Sequence, residues 1–80
     1  MYFVYIISSI KVNRYYIGST EIVEKRLAYH NSGKVKSTKA YRPWKIVHTE
    51  TYDTKTDALK REKQIKSYKG GIAFKKLLGL

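Results

Sequence analysis

The chain predicts an α+β fold: a small three-stranded antiparallel sheet flanked by helices, in the order β-β-α-β-α-α. Three observations carry that expectation. A β-branched and aromatic run opens the chain and is followed, across a turn-like stretch, by a second such run. An alternating segment lies past the middle, and three segments with helical start and stop residues fill the rest. A chain of 80 residues buries only about 60% of the surface it exposes when extended. One domain over residues 1–80 is therefore expected, with structural duty for nearly every large apolar side chain.

Tyr2 to Ile7 is β-branched or aromatic at almost every position, the pattern of a strand covered on both faces. Ser8 to Asn13 is turn-like, and Arg14-Tyr15-Tyr16-Ile17 reads as a second strand stopped by Gly18. A connection centred between Ile10 and Lys11 pairs Tyr5 with Tyr16, within one or two positions for the loop type, and stands two phenols side by side. Ser19-Thr20, followed by Glu21 and Glu24, reads as a helix start, with a capping hydroxyl and acids at the positive end of the helix dipole. That helix is expected to run to about His30 and to stop near Asn31-Ser32-Gly33. Val23, Leu27 and His30 share its inward stripe, and Arg26 and His30, four apart, stack on the border.

Gly33 to Arg42 forms a basic loop that carries Lys34, Lys36, Lys39 and Arg42 without one acid. Pro43 closes it. Trp44 to Tyr52 is the third strand, with Trp44, Ile46 and His48 expected on one face and Lys45, Val47 and Thr49 on the other. Thr54, with Asp57 three residues later, begins a helix that reaches about Tyr68 before Gly70-Gly71 breaks it. A last short helix, Ile72 to Leu78, has Ile72, Phe74, Leu77 and Leu78 to dock.

The balance of charge narrows the partners. Lys and Arg total 17 against 6 Asp and Glu, a net charge of +11, while 42% of residues are hydrophobic. Such a chain buries enough apolar surface to fold and is not a disordered basic tail. A folded domain of this charge attracts polyanions, and nucleic acid is the default because neutralised phosphates release counterions. An anionic membrane surface is a weaker partner, since no long amphipathic helix is present to anchor there. No apolar run approaches the ~20 residues of a membrane span, and Met-Tyr-Phe-Val lacks the basic start of a signal peptide. With no Cys and only two His, disulfides, thiolate zinc and all-His zinc sites are out of reach, and a soluble cytoplasmic protein is expected.

One acid breaks the patterning. With Ala58 at zero on a helical wheel, Leu59 falls at about 100°, Ile65 at about 340° and Glu62 at about 40°, inside the apolar stripe. Glu62 either pairs with Lys66, four residues on, or points into a concave site as a ligand for a hard cation such as magnesium. The other five acids sit at helix starts or near strand and turn ends. One usable carboxylate is too few for a two-metal phosphoesterase or a two-carboxylate glycosidase, and leaves a one-metal site open. Arg26 is either a solvated cation or a planar fork for phosphate oxygens. His30 is either a satisfied border histidine or a group that trades protons near neutrality. Tyr5 and Tyr16 are sheet aromatics, or bases that need a nearby cation to stabilise the phenolate. His48, alone on its strand, reads as structural, and Gly18 as a residue that permits a turn or a close approach.

Read in order, these residues resemble the GIY-YIG nuclease domain in its short form, related to the nuclease module of bacterial nucleotide-excision repair. Phe3-Val4-Tyr5 stands where that family has Gly-Ile-Tyr, Tyr16-Ile17-Gly18 is the second motif intact, and Arg26, His30 and Glu62 match later positions of the pattern. Phe3 replaces the first glycine, and no asparagine follows Glu62. The resemblance implies a metal-dependent endonuclease that hydrolyses DNA phosphodiester bonds. In it Glu62 holds a single Mg2+ or Mn2+, Tyr5 and Tyr16 position or deprotonate the attacking water, Arg26 neutralises the phosphate and His30 assists proton transfer. Eighty residues leave no appended module for reading sequence, so the substrate expected is DNA of branched, damaged or otherwise structured form. The alternative is a non-catalytic basic module that binds nucleic acid and keeps the fold. Acids are absent from Lys25 to Thr49 and from Lys63 onward. The loop with Lys34, Lys36, Lys39 and Arg42, and the late helices with Lys66 and Lys69, are therefore expected to hold the backbone on either side of the site. One cut per site on a duplex calls for a homodimer or for a partner protein that supplies specificity.

Overall fold

The computed structural model describes residues 1–80. Strand β1 (Tyr2–Ser9) lies in the middle of an antiparallel sheet of order β2-β1-β3, with β2 (Tyr15–Thr20) and β3 (Trp44–Tyr52) at its edges. The central place of β1 explains its unbroken apolar run, because both faces are covered. Val4 and Ile6 point to one side, where they pack with Ala58 and Ile65 of α2 (Lys55–Ser67) and Phe74 of α3 (Ile72–Leu77). Tyr5 and Ile7 point to the other, where they pack with Trp44 and with Val23 of α1 (Val23–Asn31).

The hairpin is longer than its sequence suggests. Ser9 extends β1, its hydroxyl accepts from Lys11 N and Val12 N at 3.1 Å, and its amide bonds Arg14 O at 2.9 Å. The connection is thereby centred one residue later, and Tyr5 lies opposite Gly18 and Tyr16 opposite Ile7. A shift of two positions preserves the face of every side chain, so the two phenols still share one side of the sheet.

Gly18 does not stop β2. Ser19 and Thr20 pair with Val4 and Phe3, and this pairing delays α1 until Val23, with Ile22 at a cap position that has no side-chain bond. The expected hydroxyl cap is absent because Ser19 and Thr20 are both strand residues; the Thr20 hydroxyl accepts from Ile22 N at 3.3 Å, ahead of the helix. α1 then runs to Asn31, and Gly33 turns the chain with φ +83, a conformation that suits a residue without Cβ. A side chain there would also meet Arg42, whose Nη1 lies 2.5 Å from the position a Cβ would take.

β3 has the predicted bounds but not the predicted faces. Ile7 pairs with Ile46 and Ile6 with His48, so Val47 is the extra residue of a β-bulge. Trp44 and Ile46 therefore face α1, whereas His48, Glu50 and Tyr52 face α2. Glu50 uses this placement to hold α2. It accepts from Arg61 Nε at 2.8 Å and Nη2 at 3.1 Å, from Tyr52 Oη at 2.6 Å and from His48 Nε2 at 2.8 Å. These donors, Arg61 first, hold the Glu50 carboxyl well below the usual range, at about 2.

α2 opens as expected, with Thr54 Oγ1 accepting from Asp57 N at 3.2 Å. Its buried stripe is narrower than the wheel suggests: Ala58 and Ile65 are fully buried, but Leu59 is 46% exposed. Glu62 therefore stands on the border of the stripe and not in its middle. In α3, Phe74 is buried and Ile72, expected to dock, is exposed. None of the helices is long and apolar enough to cross a membrane.

Candidate active site

Four of the five predicted site residues converge on the α1 side of the sheet. Tyr5 is supplied by the middle strand, Tyr16 by β2, and Arg26 and His30 by successive turns of α1, which packs on that face through Val23. The Tyr5 and Tyr16 rings lie 6.4 Å apart between centroids, and the His30 ring lies 5.9 Å from the first and 4.7 Å from the second. Tyr5 Oη is 2.9 Å from His30 Nε2, and Arg26 Nε donates to the same phenol oxygen at 3.4 Å.

Their exposure divides them. Tyr5 and His30 are buried, at 1% and 0%, whereas Tyr16 and Arg26 are partly open to solvent. Burial raises the Tyr5 phenol above its ordinary pKa, with Arg26 partly offsetting the effect. Burial, and then the Arg26 charge, pushes the His30 imidazole below its ordinary pKa. At neutral pH the buried pair is therefore a neutral phenol against a neutral imidazole, with a guanidinium beside it that the phenol contact keeps charged.

Gly18 makes this arrangement possible. It lies opposite Tyr5 in the sheet, and a Cβ built on it would come within 2.5 Å of Tyr5 Oη and 2.7 Å of Cζ. The phenol occupies the volume that a side chain at this position would need. The close approach read from the sequence is the one found.

Glu62, the fifth predicted residue, is not brought to this cluster: it stands on α2, which packs against the opposite face of the sheet. Strand alternation turns Ser19 away from Gly18 and toward α2, where its hydroxyl donates to Glu62 Oε1 at 2.7 Å. Lys66 Nζ donates to Oε2 at 2.7 Å. Glu62 makes no hydrogen bond to Tyr5, Tyr16, Arg26 or His30, yet its charge is felt at the Tyr5 phenol, which it helps to raise. β2, an edge strand, thus carries Gly18 toward the phenol cluster and Ser19 toward the carboxylate. Ser19 is a residue that the sequence misassigns to a helix cap, and no local pattern distinguishes the two roles. Thr38, which also meets His30, carries no sequence signal at all.

No three His, Cys, Asp or Glu side chains come together anywhere in the chain. The donor set near the site is one carboxylate and one hydroxyl, hard oxygens of the kind a cation that keeps most of its waters accepts. Lys66 occupies one carboxylate oxygen from the solvent side, its own side chain 52% exposed. This donor chemistry suits a single divalent ion, while in this structure both Glu62 oxygens are engaged, one by Ser19 and one by Lys66.

The predicted backbone-binding cations are all exposed. Lys34, Lys36, Lys39 and Lys69 make no ion pair. Lys66 is engaged with Glu62, and Arg42 folds back so that its Nε donates to Lys39 O at 2.8 Å.

The sheet of order β2-β1-β3 thus carries a Tyr pair, an Arg and a His against one face. The model of the GIY-YIG catalytic domain matches residues 1–73, and the chain belongs to the GIY-YIG family. It is 41% identical over 68 residues to a UPF0213 protein of Staphylococcus saprophyticus, covering 84% of this chain and 82% of that protein. A UPF0213 protein of Staphylococcus epidermidis is 46% identical over the same shares. Among solved structures, the solution structure of the UPF0213 protein BH0048 of Bacillus halodurans is 32% identical, with a TM-score of 0.50 over 84% of this chain and 72% of that one.

Proposed function

We propose that this chain is a metal-dependent endonuclease that hydrolyses DNA phosphodiester bonds, directed by DNA structure and with little sequence specificity. It would serve repair or recombination. The observation that carries this reading is the joined set Arg26, Tyr5 and His30, in which a fixed cation, a phenol and a neutral imidazole share hydrogen bonds beside a second phenol. Arg26, partly exposed, neutralises a phosphate bound over the site. Tyr16, the more accessible phenol, orients water at the open side. Tyr5 gives its hydroxyl proton to His30 and takes one from the attacking water in turn, and the Arg26 charge stabilises the phenolate that exists between the two transfers. Glu62 and Ser19 hold a single Mg2+ or Mn2+. Such an ion, when bound, supplies Lewis-acid polarisation of a phosphoryl oxygen. Lys34, Lys36, Lys39 and Arg42 on one side and Lys66 and Lys69 on the other engage the backbone, and a second copy or a partner protein supplies the cut on the opposite strand.

A second reading is favoured by one observation: both carboxylate oxygens of Glu62 already have partners within the chain. A non-catalytic module that binds nucleic acid would look the same. The Glu62→Gln variant separates the two. On a panel of labelled branched and nicked DNA in magnesium, the parent cleaves and the variant is slower by about a hundredfold or more, a loss comparable to removing one preorganised electrostatic group. Equal rates would remove the metal role from Glu62. Binding without cleavage by either protein would establish the binding module.

A further inference from the structure

His30 has a second hydrogen bond that the proposed reaction does not use. Its Nδ1 is 2.9 Å from Thr38 Oγ1, and both residues are buried, at 0% and 1%. Thr38 belongs to the basic loop, between Lys36 and Lys39, and it is held there on several sides. Its carbonyl accepts from Trp44 Nε1 at 2.9 Å and from Tyr41 N at 3.2 Å, and its own amide and hydroxyl both reach Val35 O. Asn31, one residue beyond His30, brackets the main chain of Trp44, accepting from its N–H at 2.6 Å and donating to its carbonyl at 3.1 Å.

Only one placement of protons satisfies this network. The Tyr5 hydroxyl has two partners, His30 Nε2 and Arg26 Nε. Arginine has no acceptor, so the phenol proton can go only to Nε2, which must then be the bare nitrogen. The neutral ring consequently carries its proton on Nδ1 and donates to Thr38 Oγ1, and the threonine hydroxyl donates in turn to Val35 O at 3.4 Å. The opposite tautomer would leave the phenol proton buried without an acceptor, which a closed site disfavours.

We infer that Thr38 is a positioning residue: by accepting the Nδ1–H that the Tyr5 and Arg26 contacts require, it holds the His30 ring with its Nε2 lone pair aimed at the Tyr5 hydroxyl, and thereby ties the proton acceptor of the site to the basic loop. The tautomer follows from hydrogen bonding alone, and its catalytic consequence rests on the nuclease reading above. When the proton moves from Tyr5 Oη to His30 Nε2, the O–H bond breaks and an N–H bond forms. The phenolate keeps Arg26 as its donor, and the imidazolium keeps Thr38 as acceptor for the other N–H. The relation is that of a base oriented by a third group. The titratable groups that face the ring are Tyr5 from β1, Tyr16 from β2 and Arg26 from α1 itself, while the loop presents the uncharged Thr38 hydroxyl.

The test reads the ring directly. In a 15N-labelled sample above pH 7, with signals assigned by their loss in His30→Gln, the parent shows a protonated Nδ1 and a bare Nε2 at His30. Thr38→Val, which keeps the volume and removes the oxygen, loses that single tautomer, and Thr38→Ser keeps it. In cleavage of nicked or branched DNA, Thr38→Val lowers kcat by about ten- to a hundredfold, the usual cost of an outer partner, at unchanged KM, and Thr38→Ser restores it. A parent ring protonated on Nε2, or a Thr38→Val ring that retains the parent tautomer, overturns the inference. Should the valine variant fail to fold, the parent and serine spectra still decide. A parent with the expected tautomer and no cleavage of any DNA would sink the nuclease reading and leave the assignment of Thr38 standing.

Discussion

Replacing Gly18 by alanine puts a carbon atom 2.5 Å from Tyr5 Oη, 2.7 Å from Cζ and 3.0 Å from Cε1, all well inside van der Waals contact. The phenol cannot simply turn away. Its ring is buried between the sheet and α1, its hydroxyl is bonded to His30, and the Tyr16 and His30 rings flank it. Overpacking of a closed core site costs about 1–3 kcal/mol. Against this, alanine relieves the roughly 0.5–1 kcal/mol that glycine costs in a strand. The net is a loss of about 1–2 kcal/mol, which in a domain of this size lowers Tm by roughly 5–15 °C. Thermal unfolding followed by circular dichroism measures it. In a Tyr5→Phe background the nearest clashing atom is gone, so the cost of Gly18→Ala falls by about 0.5 kcal/mol or more, as expected for residues in contact. A Gly18→Ala protein that melts within about 2 °C of the parent, or a strictly additive double variant, would refute the claim that this glycine exists to admit the phenol.

Three further outcomes follow from the same geometry. Arg26→Ala abolishes cleavage while the far-ultraviolet circular dichroism spectrum survives, because Arg26 lies at the rim and its hydrogen bond to Tyr5 is long; a collapsed spectrum would make it a structural residue. Acidification destabilises the fold in two stages, seen by urea titration at stepped pH. His30, lowered in the folded state, contributes stability that is present above about 6.5 and lost below it. Glu50, lowered from 4.5 to about 2, contributes stability present above 4.5 that is lost as pH falls toward 2, amounting to about 3 kcal/mol at 1.36 kcal/mol per pH unit, and a Glu50→Gln variant shows no second stage. Replacing Lys34, Lys36 and Lys39 by glutamine flattens the dependence of log affinity for DNA on log salt by about 2.7, at roughly 0.9 for each phosphate no longer neutralised, and an unchanged slope would place the DNA elsewhere.

The sequence by itself determined the order of elements, the bounds of β3 and α2, and which side chains belong to the phenol cluster. These follow from short-range physics. Alternation and helical spacing place Tyr5, Tyr16, Arg26 and His30 on particular faces, and a register error of two leaves those faces unchanged. Tertiary structure decided what depends on the meeting of distant segments. Ser19 is a sheet residue because β1 pairs with it, and it meets Glu62, 43 positions away, only because α2 lies against that face. The bulge at Val47 redirects Glu50 toward Arg61. Thr38 is an unmarked threonine in a loop until Trp44 and His30 close around it. Local sequence encodes the direction of each side chain, but the partner that a buried polar atom finds is set by which segments the core brings together, and no spacing rule records that.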